Sequence, residues 1–225
     1  ADGMYIVGGR DAELATVGLQ NVVYNVNYVW DEVNVFHFPS AHSTNYSMQC
    51  VTMADYTQTD RYLYPTTCNN WGGDVFIDTS GRLHVITNTN YHGRDFNNTQ
   101  YWQMDYAVYD VRGAGARPVE VYHKPIGFTN PGNCYYTRMT ESTSGKVYIL
   151  AVPCGYKRCE IWAEKDSSPY QYEMVGCKTL EGEACNSIMI GNSRNGSVID
   201  NTVSVIFPTD VGSGHPCRFF TVTIK

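Results

Sequence analysis

Val75-Phe76-Ile77-Asp78-Thr79-Ser80-Gly81-Arg82-Leu83-His84-Val85-Ile86 places two apolar strands on either side of a polar turn that ends in glycine. The same unit returns as Tyr136-Thr137-Arg138-Met139-Thr140-Glu141-Ser142-Thr143-Ser144-Gly145-Lys146-Val147-Tyr148-Ile149-Leu150. A looser third copy, Ile188-Met189-Ile190-Gly191-Asn192-Ser193-Arg194-Asn195-Gly196-Ser197-Val198, precedes a strand at Val203–Phe207. Glycine at the end of each turn allows the positive φ that a tight hairpin needs, and the Asp, Ser or Asn before it can bond the turn amides. The turn glycines are 64 and 51 residues apart, near the ~40–50-residue period of propeller blades.

Outward from these hairpins, the first copy is followed by strand-like Gln103–Val111 and Val119–His123, and the second by Cys159–Glu164 and Tyr172–Cys177. Short β-branched and aromatic runs bounded by Gly, Pro, Asn and Ser are strand signatures, and they recur at Val22–Tyr28, Asn34–Pro39 and Met48–Met53. No segment carries a sustained helical period; Asp11–Val17 has room for only a turn or two before Gly18. The expected fold is all-β: a β-propeller-like array of four-stranded antiparallel blades in a single domain over 1–225. Clear units fall at 72–127 and 128–182, and irregular ones at 1–71 and 183–225. Met4–Gly8 is expected to supply the strand missing from the last unit.

The 225 residues are 43% hydrophobic and 17% charged, with a formal charge of −6. A packed core fits this balance, and a disordered polyelectrolyte does not. Scattered basic residues offer no concentrated cationic surface for a phosphate backbone, so nucleic acid is excluded as a partner. No apolar run reaches the length of a membrane span. The start, Ala1-Asp2-Gly3, lacks the features of a leader, so any targeting segment is expected to have been removed.

Eight cysteines stand at Cys50, Cys68, Cys134, Cys154, Cys159, Cys177, Cys185 and Cys217, without a CxxC pair or a histidine at metal-ligand spacing. With sequons at Asn45, Asn97 and Asn195 they point to a secreted, glycosylated, disulfide-stapled extracellular protein. Pairing in chain order is the simplest of 105 connectivities. No metal is expected, since no Asp-x-Asp-x-Asp loop is present, and no cofactor is expected.

Ile77-Asp78-Thr79-Ser80-Gly81-Arg82-Leu83-His84-Val85 resembles the strand-turn-strand of the sialidase-like BNR (Asp-box) repeat propellers, with His84 and Tyr148 where that motif closes on its aromatic. The resemblance covers roughly residues 72–180. It implies a propeller and a carbohydrate context shared by glycan hydrolases, polysaccharide lyases and non-catalytic glycan binders. A trypsin-like reading of Ile6-Val7-Gly8-Gly9 with His42, Asp105 and Ser193 fails. Ala1–Tyr5 precede Ile6, and Ser193 lies in Gly191-Asn192-Ser193-Arg194 rather than an oxyanion-hole loop.

The densest set of reactive side chains is Asn88-Thr89-Asn90-Tyr91-His92-Gly93-Arg94-Asp95-Phe96, directly after the first repeat. His92 suits acid-base work near neutral pH, Tyr91 offers a phenol, and Arg94 a fork for the carboxylate of an acidic sugar. Trp71, Tyr101 and Trp102 lie beside turns, where aromatic faces can stack on sugar rings. Trp162 is read as blade packing. Carboxylates such as Asp31, Glu32, Asp55, Asp74, Asp95 and Asp105 fall in no motif, so catalytic residues stay unassigned.

Recognition of a carbohydrate or glycoconjugate, or adhesion, is therefore the leading expectation. A sialidase-like hydrolase or lyase is the first alternative. The second is a structural homopolymer that joins copies through the N-terminal strand.

Overall fold

In the computed structural model, the residues described are 4–13, 28–40, 42–50, 69–90, 102–111, 119–128, 134–180, 188–191, 201–208 and 217–225. Their regular structure is strand throughout. In chain order these are β1 (Met4–Glu13), β2 (Tyr28–Phe38), β3 (Ser47–Cys50), β4 (Asn69–Ile77), β5 (Arg82–Asn90), β6 (Trp102–Asp110) and β7 (Val119–Ile126). They continue as β8 (Tyr135–Glu141), β9 (Val147–Pro153), β10 (Arg158–Lys165), β11 (Ser168–Thr179), β12 (Met189–Gly191), β13 (Thr202–Pro208) and β14 (Cys217–Thr223). Among the described residues no helix is long and apolar enough to cross a membrane.

The strands form four up-and-down sheets in the orders β1-β2-β3, β4-β5-β6-β7, β8-β9-β10-β11 and β12-β13-β14. The chain divides into two compact units, one of Ala1–Gly72 with Ile86–Cys134, the other of Gly73–Val85 with Tyr135–Lys225. In the first unit β1 pairs with β2 from Met4↔Phe38 to Glu13↔Tyr28. Met4–Gly8 therefore belongs to the first sheet, which corrects the expectation that it supplies the strand missing from the last unit. The register keeps the strand paired past Arg10/Asp11 through a bulge, so Asp11–Glu13 is strand rather than a helical turn.

Both repeat turns adopt one geometry. Asp78 N donates to Arg82 O and Gly81 N to Asp78 O, each at 3.0 Å, while Ser142 N donates to Lys146 O and Gly145 N to Ser142 O, each at 2.9 Å. These are three-residue hairpin loops whose last residue must be left-handed, and Gly81 (φ 79) and Gly145 (φ 86) supply it. Side chains complete the turns: Asp78 Oδ1 accepts from Arg82 N at 2.7 Å, and Ser142 Oγ accepts from Lys146 N at 3.2 Å.

The sheet β8-β9-β10-β11 has two chemically different faces. One buries Tyr148, Leu150, Val152, Cys159 and Ala163 against Ile188, Val203, Val205, Phe207, Val222 and Ile224 in an apolar cluster. The other carries Thr137, Glu160 and Trp162, because Glu160 lies opposite Ala151 and Trp162 opposite Ile149, one residue out of step with Leu150. Trp162, 6% exposed, does pack within its sheet.

The register also corrects one expected staple. Cys159 lies opposite Lys178 and Cys177 opposite Glu160, so the two sulfurs leave opposite faces of the β10–β11 pair and cannot be joined there. Cys159 is buried and its thiol donates to the Glu160 carbonyl at 3.8 Å, whereas Cys177 and Cys217 are exposed thiols without a disulfide. Cys134 and Cys154 are half-buried beside the Tyr135↔Pro153 end of the β8–β9 hairpin. Cys50 ends β3, and Cys68 and Cys185 lie outside the described residues.

Candidate functional site

The loop expected to hold the site falls mostly outside what is described: Tyr91, His92, Arg94 and Tyr101 are not among the described residues. Trp71 and Trp102 are placed only as backbone, within β4 and at the start of β6. Asn45 is exposed, in a turn where Ser43 Oγ donates to Asn45 O at 2.9 Å and accepts from Asn45 N at 3.2 Å. Asn97 and Asn195 lie outside the described residues.

Two polar constellations stand out in the second unit, and they differ in kind. The first surrounds the β4–β5 turn. Asp78 accepts from Ser80 Oγ at 2.8 Å and lies 3.2 Å from His84 Nε2, with His84 only 1% exposed. Burial alone would raise the Asp78 carboxyl, but the bonds from His84, Arg82 N and Ser80 outweigh it and hold it below the usual range. Arg82 lies over the Tyr170 ring at 5.2 Å and donates to its hydroxyl, while Glu164 Oε1 accepts from Tyr170 N at 2.7 Å. Burial raises the Glu164 carboxyl above its ordinary value, against the opposing pull of His84.

Tyr170 itself has φ 65, a strained choice for an aromatic residue that these contacts sustain. Every group here is engaged by another, so the cluster braces the β4–β5 turn against the β10–β11 hairpin. A neighbouring pair of bonds repeats that logic. Glu141 accepts from Thr79 N at 2.8 Å and Thr79 Oγ1 at 2.7 Å, and Asn201 Oδ1 accepts from Thr143 N at 2.8 Å and Thr143 Oγ1 at 3.0 Å. Thr79 and Thr143 hold the same place in the two turns, each two residues before its glycine.

The second constellation lies on the outermost strands of two sheets. Among the described residues β4 and β8 each have a sheet neighbour on one side only. Asp74 of β4 reaches across to β8: Oδ2 accepts from Met139 N at 2.5 Å, and Oδ1 lies 3.7 Å from Arg138 Nη1. Arg138 Nη1 also donates to the Thr137 carbonyl at 2.7 Å. Desolvation dominates at Asp74 and pushes its carboxyl up to about 6, despite Arg138 and the amides of Met139 and Val75, which lower it. Its side chain is 15% exposed and that of Arg138 34% exposed, so both can be reached.

A carboxyl that titrates near 6 can carry a proton to a reacting oxygen at mildly acidic pH. Asp78, in the β4–β5 turn four residues further on and ~13 Å away, is too distant to be its partner in glycoside cleavage. Glu141, the carboxylate of β8, is 2% exposed and already holds Thr79. Asp74 had been legible only as one carboxylate among several, and Arg138 had not been singled out. A signal was available: each stands seven residues before its turn glycine, so the two copies carry opposite charges at one repeat position.

Raising a buried carboxyl has a measurable cost. Between the unfolded value near 4 and the folded value near 6 the native chain binds the Asp74 proton more tightly than the unfolded chain. Stability is therefore lost as pH rises through that window. Asp74→Asn, which keeps an acceptor for Met139 N, is expected to stabilise the protein by on the order of 2–3 kcal/mol at pH 8 and to leave it unchanged at pH 4. Urea denaturation at both pH values checks this; equal effects at the two would contradict it.

No family model matches the chain, and a search of curated proteins returns no match. Solved structures share its fold. A GH43 β-1,3-galactosidase with galactodeoxynojirimycin aligns at TM-score 0.55 and 11% identity over 99% of this chain and 70% of that one. The exo-β-1,3-galactanase of Phanerochaete chrysosporium with β-1,3-galactotriose aligns at 0.55 and 11% over 100% of this chain and 45% of that one. A second GH43 β-1,3-galactosidase aligns at 0.54 and 11%, over 100% and 42%. The chain thus spans less than half the length of the latter two.

These neighbours have a five-bladed β-propeller fold, and the four-stranded meanders described above are sheets of that class. At 11% identity the likeness supports the propeller fold that the resemblance read from sequence implies, and these neighbours are GH43 enzymes rather than BNR-repeat propellers. A glycine-ended hairpin joins adjacent strands in either kind of blade, so that motif does not separate the two superfamilies.

Proposed function

We propose that this chain is a carbohydrate-active protein of the glycoside-hydrolase type, with Asp74 as proton donor at the rim formed by β4 and β8. The observation that carries the reading is a largely buried carboxyl raised to about 6, beside a one-third-exposed arginine, on the edge strands of two sheets. The galactan- and galactoside-acting neighbours support the substrate class, sugar polymers or their fragments, at the level of fold. In this reading Asp74 gives its proton to the glycosidic oxygen as the bond from that oxygen to the anomeric carbon breaks. Water adds to the anomeric carbon and gives its own proton to a second carboxylate. That second group is neither Asp78 nor Glu141, for the reasons of distance and engagement given above.

The missing partner favours a second reading, recognition of glycan without cleavage at the same rim. An extracellular setting belongs to both readings, supported by the three sequons, of which Asn45 is exposed. Incubation with neutral and acidic polysaccharides, followed by assay of new reducing ends, separates them. Hydrolysis is expected on at least one substrate, with Asp74→Asn lowering kcat by ~100–10,000-fold and leaving KM within a few-fold. Binding with no new reducing ends from the wild-type chain would replace the hydrolytic reading with recognition. Undiminished hydrolysis by Asp74→Asn would remove Asp74 from the role.

A further inference from the structure

The Asp74–Arg138 pair has unused binding capacity on its cationic side. Of the guanidinium donors, Nη1 serves the Thr137 carbonyl and faces Asp74, while Nε and Nη2 make no hydrogen bond to the described residues. At 3.7 Å the Arg138–Asp74 contact is looser than a charge-assisted hydrogen bond, so it does not fix the fork in the bidentate geometry that carboxylates favour. The fork is one-third exposed and adjoins the Asp74 carboxyl, on the outermost strands of two sheets.

From this geometry we infer that Arg138 and Asp74 form a subsite for a uronic acid residue, the sugar carboxylate seated on the Arg138 fork beside the Asp74 side chain. This rests on the proposed carbohydrate function and adds the class of sugar. A planar guanidinium with two adjacent donors that no described residue engages matches a carboxylate far better than a neutral hydroxyl. Ionised Asp74 would repel such a ligand across a few ångströms, whereas the protonated group can donate its O–H to the ligand. The ligand's charge in turn offsets that of Arg138, which otherwise favours the ionised form of Asp74, so binding and protonation reinforce each other. Among the described residues Arg138 is the one charged group acting on Asp74; Asp78 lies ~13 Å away in the β4–β5 turn.

Calorimetric titration of the whole chain with trigalacturonate, and with a neutral galactose trisaccharide as control, tests the subsite. Trigalacturonate is expected to bind with proton uptake, its affinity falling up to about tenfold per pH unit above pH 6. Asp74→Asn should flatten that dependence, and Arg138→Gln should weaken binding at least ~10-fold at pH 5. Arg138→Lys, which keeps the charge but not the fork, should fall between them. The neutral trisaccharide should be indifferent to pH and to Arg138.

Equal binding of acidic and neutral sugars, or trigalacturonate affinity unchanged in a folded Arg138→Gln protein, would overturn the inference. Because binding is read without turnover, the two proposals fail separately. Arg138-dependent uronate binding with no hydrolysis of any substrate sinks only the enzyme, and Asp74-dependent hydrolysis with no trigalacturonate binding sinks only the subsite.

Discussion

Glu160→Ala is expected to destabilise the protein by about 2–4 kcal/mol, because it removes a buried carboxylate that accepts from a buried indole and pairs with a half-buried arginine. Glu160 is wholly buried in β10, pairs with Arg158 Nη2 at 2.9 Å and accepts from Trp162 Nε1 at 3.1 Å. All three side chains share one face of the strand at i, i+2 and i+4. The Arg158 guanidinium also lies over the Tyr156 ring at 5.4 Å, which limits its freedom to swing into water once its carboxylate is gone. Trp162, 6% exposed, loses an acceptor that water cannot readily replace.

Glu160→Gln keeps an oxygen for the indole and loses only the charge, so a smaller cost, about 1–3 kcal/mol, is expected from it. Urea unfolding of the three proteins checks the order, wild type above Gln above Ala. A loss under about 1 kcal/mol for the alanine variant would mean that the pair contributes no more than a surface salt bridge.

On the opposite face of the same sheet, Leu150→Ala is expected to cost about 2–5 kcal/mol for a different reason. Leu150 is wholly buried and belongs to the cluster in which β9 and β10 meet the β12-β13-β14 sheet. Truncation removes methyl groups from a close-packed interior, and the space left behind refills only in part because its walls are strands held by ladder hydrogen bonds. A Leu150→Met variant, similar in volume, should lose less than about 1.5 kcal/mol. The two faces can then be told apart by salt. The Glu160 effect should shrink modestly in high salt because Arg158 is 34% exposed, and the Leu150 effect should not. A cost below about 1 kcal/mol for Leu150→Ala would mean that this interface collapses freely on loss of volume.

The all-β character and the two hairpins were readable because they depend on local chemistry. Glycines at 81 and 145, each preceded by a polar turn, require the left-handed position that a three-residue loop demands, and the flanking apolar runs are strands in the structure. What joins the hairpins was not readable. Thr79 and Glu141 are 62 residues apart, and Asp74 and Met139 65, separations at which no spacing rule specifies a partner.

The site was sought where reactive residues crowd in sequence, Tyr91 to Arg94, a stretch outside the described residues. The structure instead unites Asp74, the one charge of β4, with Arg138, which shares β8 with Glu141. Pairing cysteines in chain order failed at Cys159 and Cys177 for a physical reason, since it ignores the alternation that sends Cys159 inward and Cys177 outward.

The most direct test of the account is the titration of the Asp74 carboxyl itself, followed by carbon-detected nuclear magnetic resonance on the folded chain and assigned with Asp74→Asn. A midpoint of about 6 is expected, set by burial against the pull of Arg138. A midpoint near 4, the ordinary value of a solvated aspartate, would contradict the account, because a carboxyl already ionised at mildly acidic pH could neither hand a proton to a sugar oxygen nor sit beside a second carboxylate.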